Sequence, residues 1–332
     1  MTVIATKLNE NDYPLWNDFI MNSSRGSFFY TTEWANLLSY TFDRQFEVIV
    51  LQDDDQIIGG LIVFVQKRFG YRMITPVALY PYCGPVLDEL PDAKYQKKIA
   101  SGLENITCIS EYLINNFDFW TINTSPEIKD IRSFQWQNCR VEPSYTYQLA
   151  LKNWNACQQN FNQSVRKKVR QAEKENTIFK QSDEKNSFIR MYLHSYHRHG
   201  IKPLIDEKIL DNFLTMALKL PQVKLYYVEK EDKKLAGRII LEDTDKIYDL
   251  LAGSDDPEGH GSSYLVYKIL ELYSGNEFVF DFLGADHPQI EEFKRGFGGQ
   301  LANGFRISSP VKFPLSWMIR MRTRTIIRNR KL

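Results

Sequence analysis

The stretch 278–299, FVFDFLGADHPQIEEFKRGFGG, brings one acid and two bases to the end of a β-rich run. Asp281 follows Phe278, Val279 and Phe280. A polar turn then leads into a short helix that closes on Phe293-Lys294-Arg295-Gly296-Phe297-Gly298-Gly299. A strand end met by a helix is a common place for a site in sheet-based folds. A second basic group lies at 164–176, SVRKKVRQAEKEN, where helical spacing sets Arg166 and Arg170 one turn apart with Lys167 beside them. Two guanidinium groups so placed can grip neighbouring phosphates, although a solvated helix face reads the same way and Glu173 and Glu175 dilute the field. His194 and His197 share a helical face, but His199 leaves it and no carboxylate follows at ligand spacing, so no metal is expected.

An internal repeat sets the elements that must position these groups. The segment 48–64, VIVLQDDDQIIGGLIVF, aligns without a gap on 225–241, LYYVEKEDKKLAGRIIL, with Gly60 on Gly237. Each copy is two β-rich runs joined by a charged turn, and one hairpin recurring 177 residues apart argues for two copies of one domain. Around them the periodicity predicts helices at 11–21, 31–39 and 92–115 and strands at 72–77, 117–123 and 145–151. The second half is predicted to open with one polar helix over 157–175, then a strand at 178 and helices at 186–198 and 206–218. A strand at 246–252, a helix at 262–273, the Asp281 strand, a helix at 289–297 and a strand at 301–308 complete it. Helices between mixed strands imply an α/β layer in each half, with the boundary near 151–160. Strand order is not readable from these patterns.

Composition bounds the class. The chain has 332 residues, 43% of them hydrophobic, enough for two packed cores. Its best apolar run, 57–65, is too short for a membrane span and contains two glycines. Acids within the first dozen residues and the lack of an apolar core there do not read as a signal peptide. Cys83, Cys108, Cys139 and Cys157 are far apart and are expected as reduced thiols of a cytoplasmic protein. Net charge is +1, but no acid follows Glu292 while ten basic residues do, leaving 32 basic against 41 acidic residues, or −9, before it. The last stretch, PLSWMIRMRTRTIIRNRKL, interleaves apolar residues with arginines; it is expected as a basic amphipathic tail for an anionic membrane or an RNA backbone, or as a solubilising end.

The 278–299 segment resembles the DF-x-G … F-K-x-G-F-G signature of the FemAB-like branch of the GNAT acyltransferase superfamily, which includes peptidoglycan-bridge aminoacyltransferases. The 164–176 stretch resembles the basic helix with an R-x-x-x-R-x-A core that opens that family's second domain. Residues 27–34, SFFYTTEW, resemble the start of its N-terminal helix, ending in Glu33-Trp34, and the Pro81-Tyr82-Cys83-Gly84-Pro85-Val86 turn extends the likeness through the first half. The resemblance implies tandem GNAT-like domains, each a mixed β-sheet flanked by helices: 1–152, then 153–314 carrying the FKRGFG motif, then the tail 315–332.

The resemblance also implies roles. Lys294 takes the place of the lysine that stabilises charge at the transferring ester, with Arg295 beside it. Asp281 is read either as orienting Lys294 or taking a proton from the incoming amine, or as a buried aspartate bonding backbone amides. Tyr248 on the strand KIYDLLAG is either a hydroxyl donor to substrate or a core tyrosine. Arg166 and Arg170 are expected to anchor phosphate, with Trp34, Tyr196 and His197 as further substrate contacts. The loop SDDPEGHG stands where acyl-CoA-dependent members cradle pyrophosphate; it keeps Gly259 and Gly261, but Asp255, Asp256 and Glu258 repel a phosphate there.

The function expected is transfer of an acyl or aminoacyl group to an amine of a cell-envelope or polysaccharide precursor, phosphorylated and lipid-linked ones included. The donor, aminoacyl-tRNA or acyl-CoA, is a co-substrate rather than a tightly bound cofactor. Against it stands a non-catalytic adaptor on the same scaffold, binding phosphorylated glycan, RNA or anionic membrane. The expected location is cytoplasmic, with peripheral contact at the inner membrane face as the tail's contribution. Oligomeric state is not read from the sequence.

Overall fold

The computed structural model describes residues 3–310 except 89, 91 and 199. The expected tail 315–332, the end of the expected second domain at 314, and His199 therefore lie outside the described residues. The first half runs β1 (Ile4–Lys7), α1 (Tyr13–Asn22), α2 (Thr32–Phe42), β2 (Gln45–Asp53), β3 (Gln56–Arg68), β4 (Tyr71–Ile74), β5 (Val86–Leu87), α3 (Tyr95–Asn116), β6 (Phe119–Asn123), α4 (Arg132–Trp136) and β7 (Arg140–Ala150). There follow α5 (Trp154–Asn160), α6 (Gln163–Lys174), β8 (Ile178–Gln181), α7 (Lys185–Arg198), α8 (Glu207–Ala217), β9 (Val223–Lys230), β10 (Lys233–Glu242) and β11 (Lys246–Ser254). The chain continues through α9 (His260–Leu272), β12 (Val279–Asp281), α10 (Pro288–Arg295) and β13 (Gln300–Ser308).

Polar caps set several helix starts. Thr31 Oγ1 accepts from Trp34 N, Asn153 Oδ1 from Ala156 N, and Asp206 Oδ1 from Ile209 N. The polar helix expected over 157–175 is instead two, α5 and α6. Asn162 divides them: its side chain accepts from Val165 N at 2.8 Å and its own N–H donates to Gly296 O at 2.8 Å, which turns the chain between the helices.

The strands form one mixed sheet in the order β1-β2-β3-β4-β6-β13-β7-β12-β11-β10-β9-β8, with β5 on β3. The repeated hairpin is borne out down to an irregularity. Pairing steps from Leu51↔Gly59 to Gln52↔Ile57 in the first copy and from Val228↔Ala236 to Glu229↔Lys234 in the second. Ile58 and Leu235 are thus bulged at equivalent positions of the repeat. The order has one exchange. β7, from the first part of the chain, pairs with β12, and the last strand, β13, pairs with β6 and β7. The expected boundary at 152/153 falls in the loop after β7, and the sheet continues across it.

Alternation along β9 sends Leu225 and Tyr227 into one core and Tyr226 and Val228 into the other. The first core is continuous with that of the first half; the second lies under α6 and α9.

Candidate functional site

Three features mark the second half and its junction with the first. The first is a narrow polar cleft, lined by Arg25, Tyr30, Tyr82 and Glu127 from the first half and Lys246, Tyr248 and Asp281 from the second. Asp281 is fully buried. Its Oδ1 accepts from Thr146 Oγ1 at 2.6 Å and Leu283 N at 2.9 Å, and its Oδ2 from Tyr82 Oη and Gln148 Nε2, both at 2.9 Å. Four donors use a carboxylate's acceptor sites. Asp281 therefore ties together the turn after β12, strand β7 and the Tyr82 loop. It does not contact Lys294 directly, and its geometry is that of a buried aspartate with satisfied bonds.

Tyr248 lies in the same cleft, its ring 4.8 Å from Phe29 and its hydroxyl 3.5 Å from Ser27 Oγ. Ser27 Oγ and Phe28 N both donate to Asp243 Oδ2, at 2.7 and 2.8 Å, which latches the first half onto the β10–β11 turn. Burial pushes the phenols of Tyr82 and Tyr248 well above their ordinary range, aided by the charges of Asp281 and Asp243 respectively, so both remain hydroxyl donors. Glu127 and Lys246 pair across the halves. Burial pushes the Glu127 carboxyl up, but the Lys246 ammonium outweighs it and holds the group below its usual value.

The second feature is a splay in the sheet. β11 pairs in parallel with β12 only from Lys246↔Val279 to Tyr248↔Asp281, then continues to Ser254 as the other chain turns away. On its other side, pairing steps from Ile240↔Asp249 to Ile239↔Leu251, so Leu250 has no opposite residue. A bulge beside a splay can aim backbone N–H groups into the gap. Arg238 and Asp249 form a buried ion pair here, and Asp249 Oδ1 has no hydrogen-bond partner among the described residues. The Phe293 ring lies 5.5 Å from the Arg238 guanidinium.

Lys294 reaches into this region from α10 and is buried. Its Nζ donates to Phe282 O at 2.7 Å, Gly284 O at 2.6 Å and Leu283 O. An ammonium has three N–H groups, and all three are taken by main-chain carbonyls. In the structure Lys294 holds the left-handed turn at Leu283 and Gly284, where φ is 46° and 67°, and not an open position at the mouth of the cleft. Burial lowers its pKa to about 8, against the upward pull of Asp249 and with the further push of Arg238.

The third feature is the start of α9. Asp256 Oδ2 accepts from Gly261 N at 2.6 Å and Oδ1 from Glu258 N at 3.0 Å, while His194 Nδ1 lies 2.6 Å from Asp255 Oδ1. Main-chain amides in the expected pyrophosphate cradle are therefore occupied by the chain's own carboxylate. Beside them α6, α9 and α10 bound an open groove. Ser263 lines it, 1% exposed, with no partner for its Oγ among the described residues, and Lys168 lines it from α6.

The other expected site residues disperse. Trp34 is a core residue and not a substrate contact: it is 0% exposed, its indole N–H donates to Leu79 O, and Phe28, Phe29 and Phe213 pack around it. Arg295 points outward and donates to Glu291 Oε1 at 2.7 Å, a surface pair away from the cleft. Tyr196 packs on Tyr192, with ring centroids 4.9 Å apart, and His197 lines an outer groove between α7 and α8; neither lines the cleft. Arg166 and Arg170 stay exposed on α6, with no side-chain partner among the described residues. Sequence reasoning missed Glu127, Lys246, Arg238 and Asp249. The signal for the last two was present: a charge interrupts each apolar strand, and Arg238 stands where the first copy of the repeat has Leu61.

Residues 159–295 match the family model of the acetyltransferase (GNAT) domain. Comparison with curated proteins finds no match. Among solved structures, that of FemX superposes with a TM-score of 0.66 at 14% identity, over 91% of this chain and 96% of that one. The C-terminal domain of a putative lysylphosphatidylglycerol synthetase from Agrobacterium fabrum gives 0.55 at 11% identity, over 91% and 93%. L-PGS from Bacillus licheniformis gives 0.54 at 11% identity, over 96% and 97%. At such identities the likeness is one of fold.

Proposed function

We propose that this chain, a GNAT-fold protein of the FemAB-like branch, is an acyltransferase that passes an aminoacyl or acyl group to an amine of an envelope precursor. The observation that carries the reading is the splayed β11–β12 pair with its bulge at Leu250. Such a gap admits an acyl carbonyl edgewise and offers main-chain donors to the oxygen that becomes negative when the amine attacks. In the transfer, a C–N bond forms, the bond between the acyl carbon and the donor's leaving atom breaks, and a proton passes from the amine to that atom. The inter-half cleft supplies the acceptor's side: Tyr248 is a protonated donor, Tyr82, whose O–H is held by Asp281, offers an accepting oxygen, and the Glu127–Lys246 pair offers a carboxylate to an ammonium group.

The donor we favour is an aminoacyl-RNA. Asp256 occupies the cradle that would hold a CoA pyrophosphate, whereas Arg166 and Arg170 offer an RNA backbone two exposed guanidinium groups on the side of α6 away from the groove that Lys168 lines. FemX and the two lysylphosphatidylglycerol synthetases named above support an envelope setting by their shared fold.

A second reading has one observation in its favour. Asp281 and Lys294 are both saturated by internal bonds, as a non-catalytic adaptor binding phosphorylated glycan, RNA or anionic membrane would permit. Incubation with an aminoacyl-RNA minihelix or with acetyl-CoA, each with a glucosamine-bearing acceptor, separates the readings by mass spectrometry. The proposal expects the acceptor to gain the aminoacyl residue from RNA only. Efficient turnover of acetyl-CoA would overturn the donor assignment, and RNA binding without product would favour the adaptor.

A further inference from the structure

Two exposed aromatic rings on the first half serve neither the cleft nor the donor groove. Tyr95, at the start of α3, is 77% exposed, and Trp136, at the end of α4, is 63% exposed. Ser133 Oγ donates to Leu103 O at 2.9 Å, which lays α4 against α3 about two turns beyond Tyr95. Arg132 links the rings. Its guanidinium stands 5.8 Å from the Trp136 ring, and its pKa is raised first by the Asp130 carboxylate and, at longer range, by Tyr95. Arg132 Nε and Nη2 both donate to Asp130, at 2.6 to 3.1 Å, so the fork that could grip a phosphate is already taken. Lys94, Lys97, Lys98 and Lys129 stand exposed around the rings, with Asp92 as the opposing charge. Large apolar side chains in water with a charged rim mark an interaction surface.

The chain leaves the described fold beside this face. Ser309 N donates to Trp120 O at 2.9 Å, and the Trp120 ring packs 6.1 Å from that of Phe134 in α4. The residues that follow, 311–332, hold Trp317 and seven lysines and arginines with no acid. We propose that the face of Tyr95, Trp136 and their lysines docks on an anionic lipid surface, the partner that the charge of 311–332 also suits. Tryptophan and tyrosine rings settle at the headgroup level, with the apolar body against the acyl boundary and the N–H or O–H in water. Lysine stems let their ammonium groups reach the lipid phosphates around such rings. An RNA backbone fits this face less well, because the guanidinium beside the rings is held by Asp130.

The test is sedimentation of the full chain with vesicles of phosphatidylglycerol and phosphatidylcholine in equal parts, against vesicles of phosphatidylcholine alone. The proposal expects binding to the anionic vesicles that fades with salt, and far weaker binding to the neutral ones. Tyr95→Ala combined with Trp136→Ala should weaken binding about tenfold or more and leave the melting temperature unchanged, because both rings are exposed. Lys94→Gln combined with Lys97→Gln should weaken it as well. Absence of binding to the anionic vesicles would overturn the proposal. Equal binding by the unaltered chain and the aromatic variant would overturn it too, since the contact would then belong to 311–332. A lowered melting temperature in the aromatic variant would make the rings part of the fold and have the same result. If a single-stranded RNA oligonucleotide binds the unaltered chain and not the aromatic variant, while vesicle binding is the same for both, the face belongs to nucleic acid instead. No acyl donor or acceptor takes part, so failure of the transfer assay leaves this proposal standing, and its own failure leaves the acyltransferase reading intact.

Discussion

At the scale of single residues, the two groups most visible in the sequence are the most tightly bound. Replacing Lys294 by Met would leave three carbonyls of the Leu283–Gly284 turn without a donor, and we expect a loss of about 2 kcal/mol, read from denaturant midpoints. An unchanged midpoint would contradict the clamp. Because the folded pKa of Lys294 lies near 8, below the ordinary lysine value, the unfolded chain binds more protons between the two. This group's contribution should therefore make the protein more stable as pH rises from about 8 to about 10.4, and the burden of the buried charge is fully present below that window. NMR of labelled lysine side chains should show one ammonium titrating near pH 8; a midpoint above 10 would refute the shift. For Asp281, Asn presents an N–H₂ where two donors, Tyr82 Oη and Gln148 Nε2, now converge. Asp281→Asn should cost about 3 kcal/mol, and a melting curve like that of the unaltered protein would show the carboxylate is not needed there.

At the scale of elements, the donor proposed above rests on α6 and the loop before α9. Acetyl-CoA should bind no tighter than roughly 100 μM, because its pyrophosphate would have to displace the Asp256 carboxylate. Calorimetry giving micromolar affinity would refute this. Exchanging Arg166 and Arg170 for Gln should weaken an RNA donor and reduce the slope of log affinity against log salt by about 1 to 2, with the melting temperature unchanged. An unaltered slope would place the donor elsewhere. Elements were the most legible level of the sequence. Gly60 and Gly237 announced the paired hairpins, and their bulges at Ile58 and Leu235 keep the same spacing. Legibility failed where a partner is distant in the chain. Nothing local to Glu127 points to Lys246, and nothing in the motif around Lys294 tells an exposed ammonium from one closed over carbonyls twelve, eleven and ten residues back. Trp34 was misread for a related reason: its motif marks a helix start, and only packing shows that its ring is core.

At the scale of the whole molecule, each half holds a strand that the other half's sheet needs. A fragment 1–152 keeps β7 but lacks β13, and a fragment 153–310 keeps β13 but lacks β7. Neither should fold alone, since each would expose an unpaired sheet edge and part of a core that spans both halves. The full chain should melt in one cooperative transition. A well-dispersed NMR spectrum from either isolated fragment would defeat this prediction.

The same exchange bears on synthesis. β6 ends at Asn123, but the strand that pairs with it begins only at Gln300. At a bacterial or eukaryotic elongation pace, that interval lasts on the order of 10 to 40 seconds, during which the beginning of the protein waits on its end. The usual N-to-C order of ripening is reversed for this half: it is the first to leave the ribosome and the last to close. Chaperones that shield sheet edges would find their client in the nascent chain rather than in the released protein.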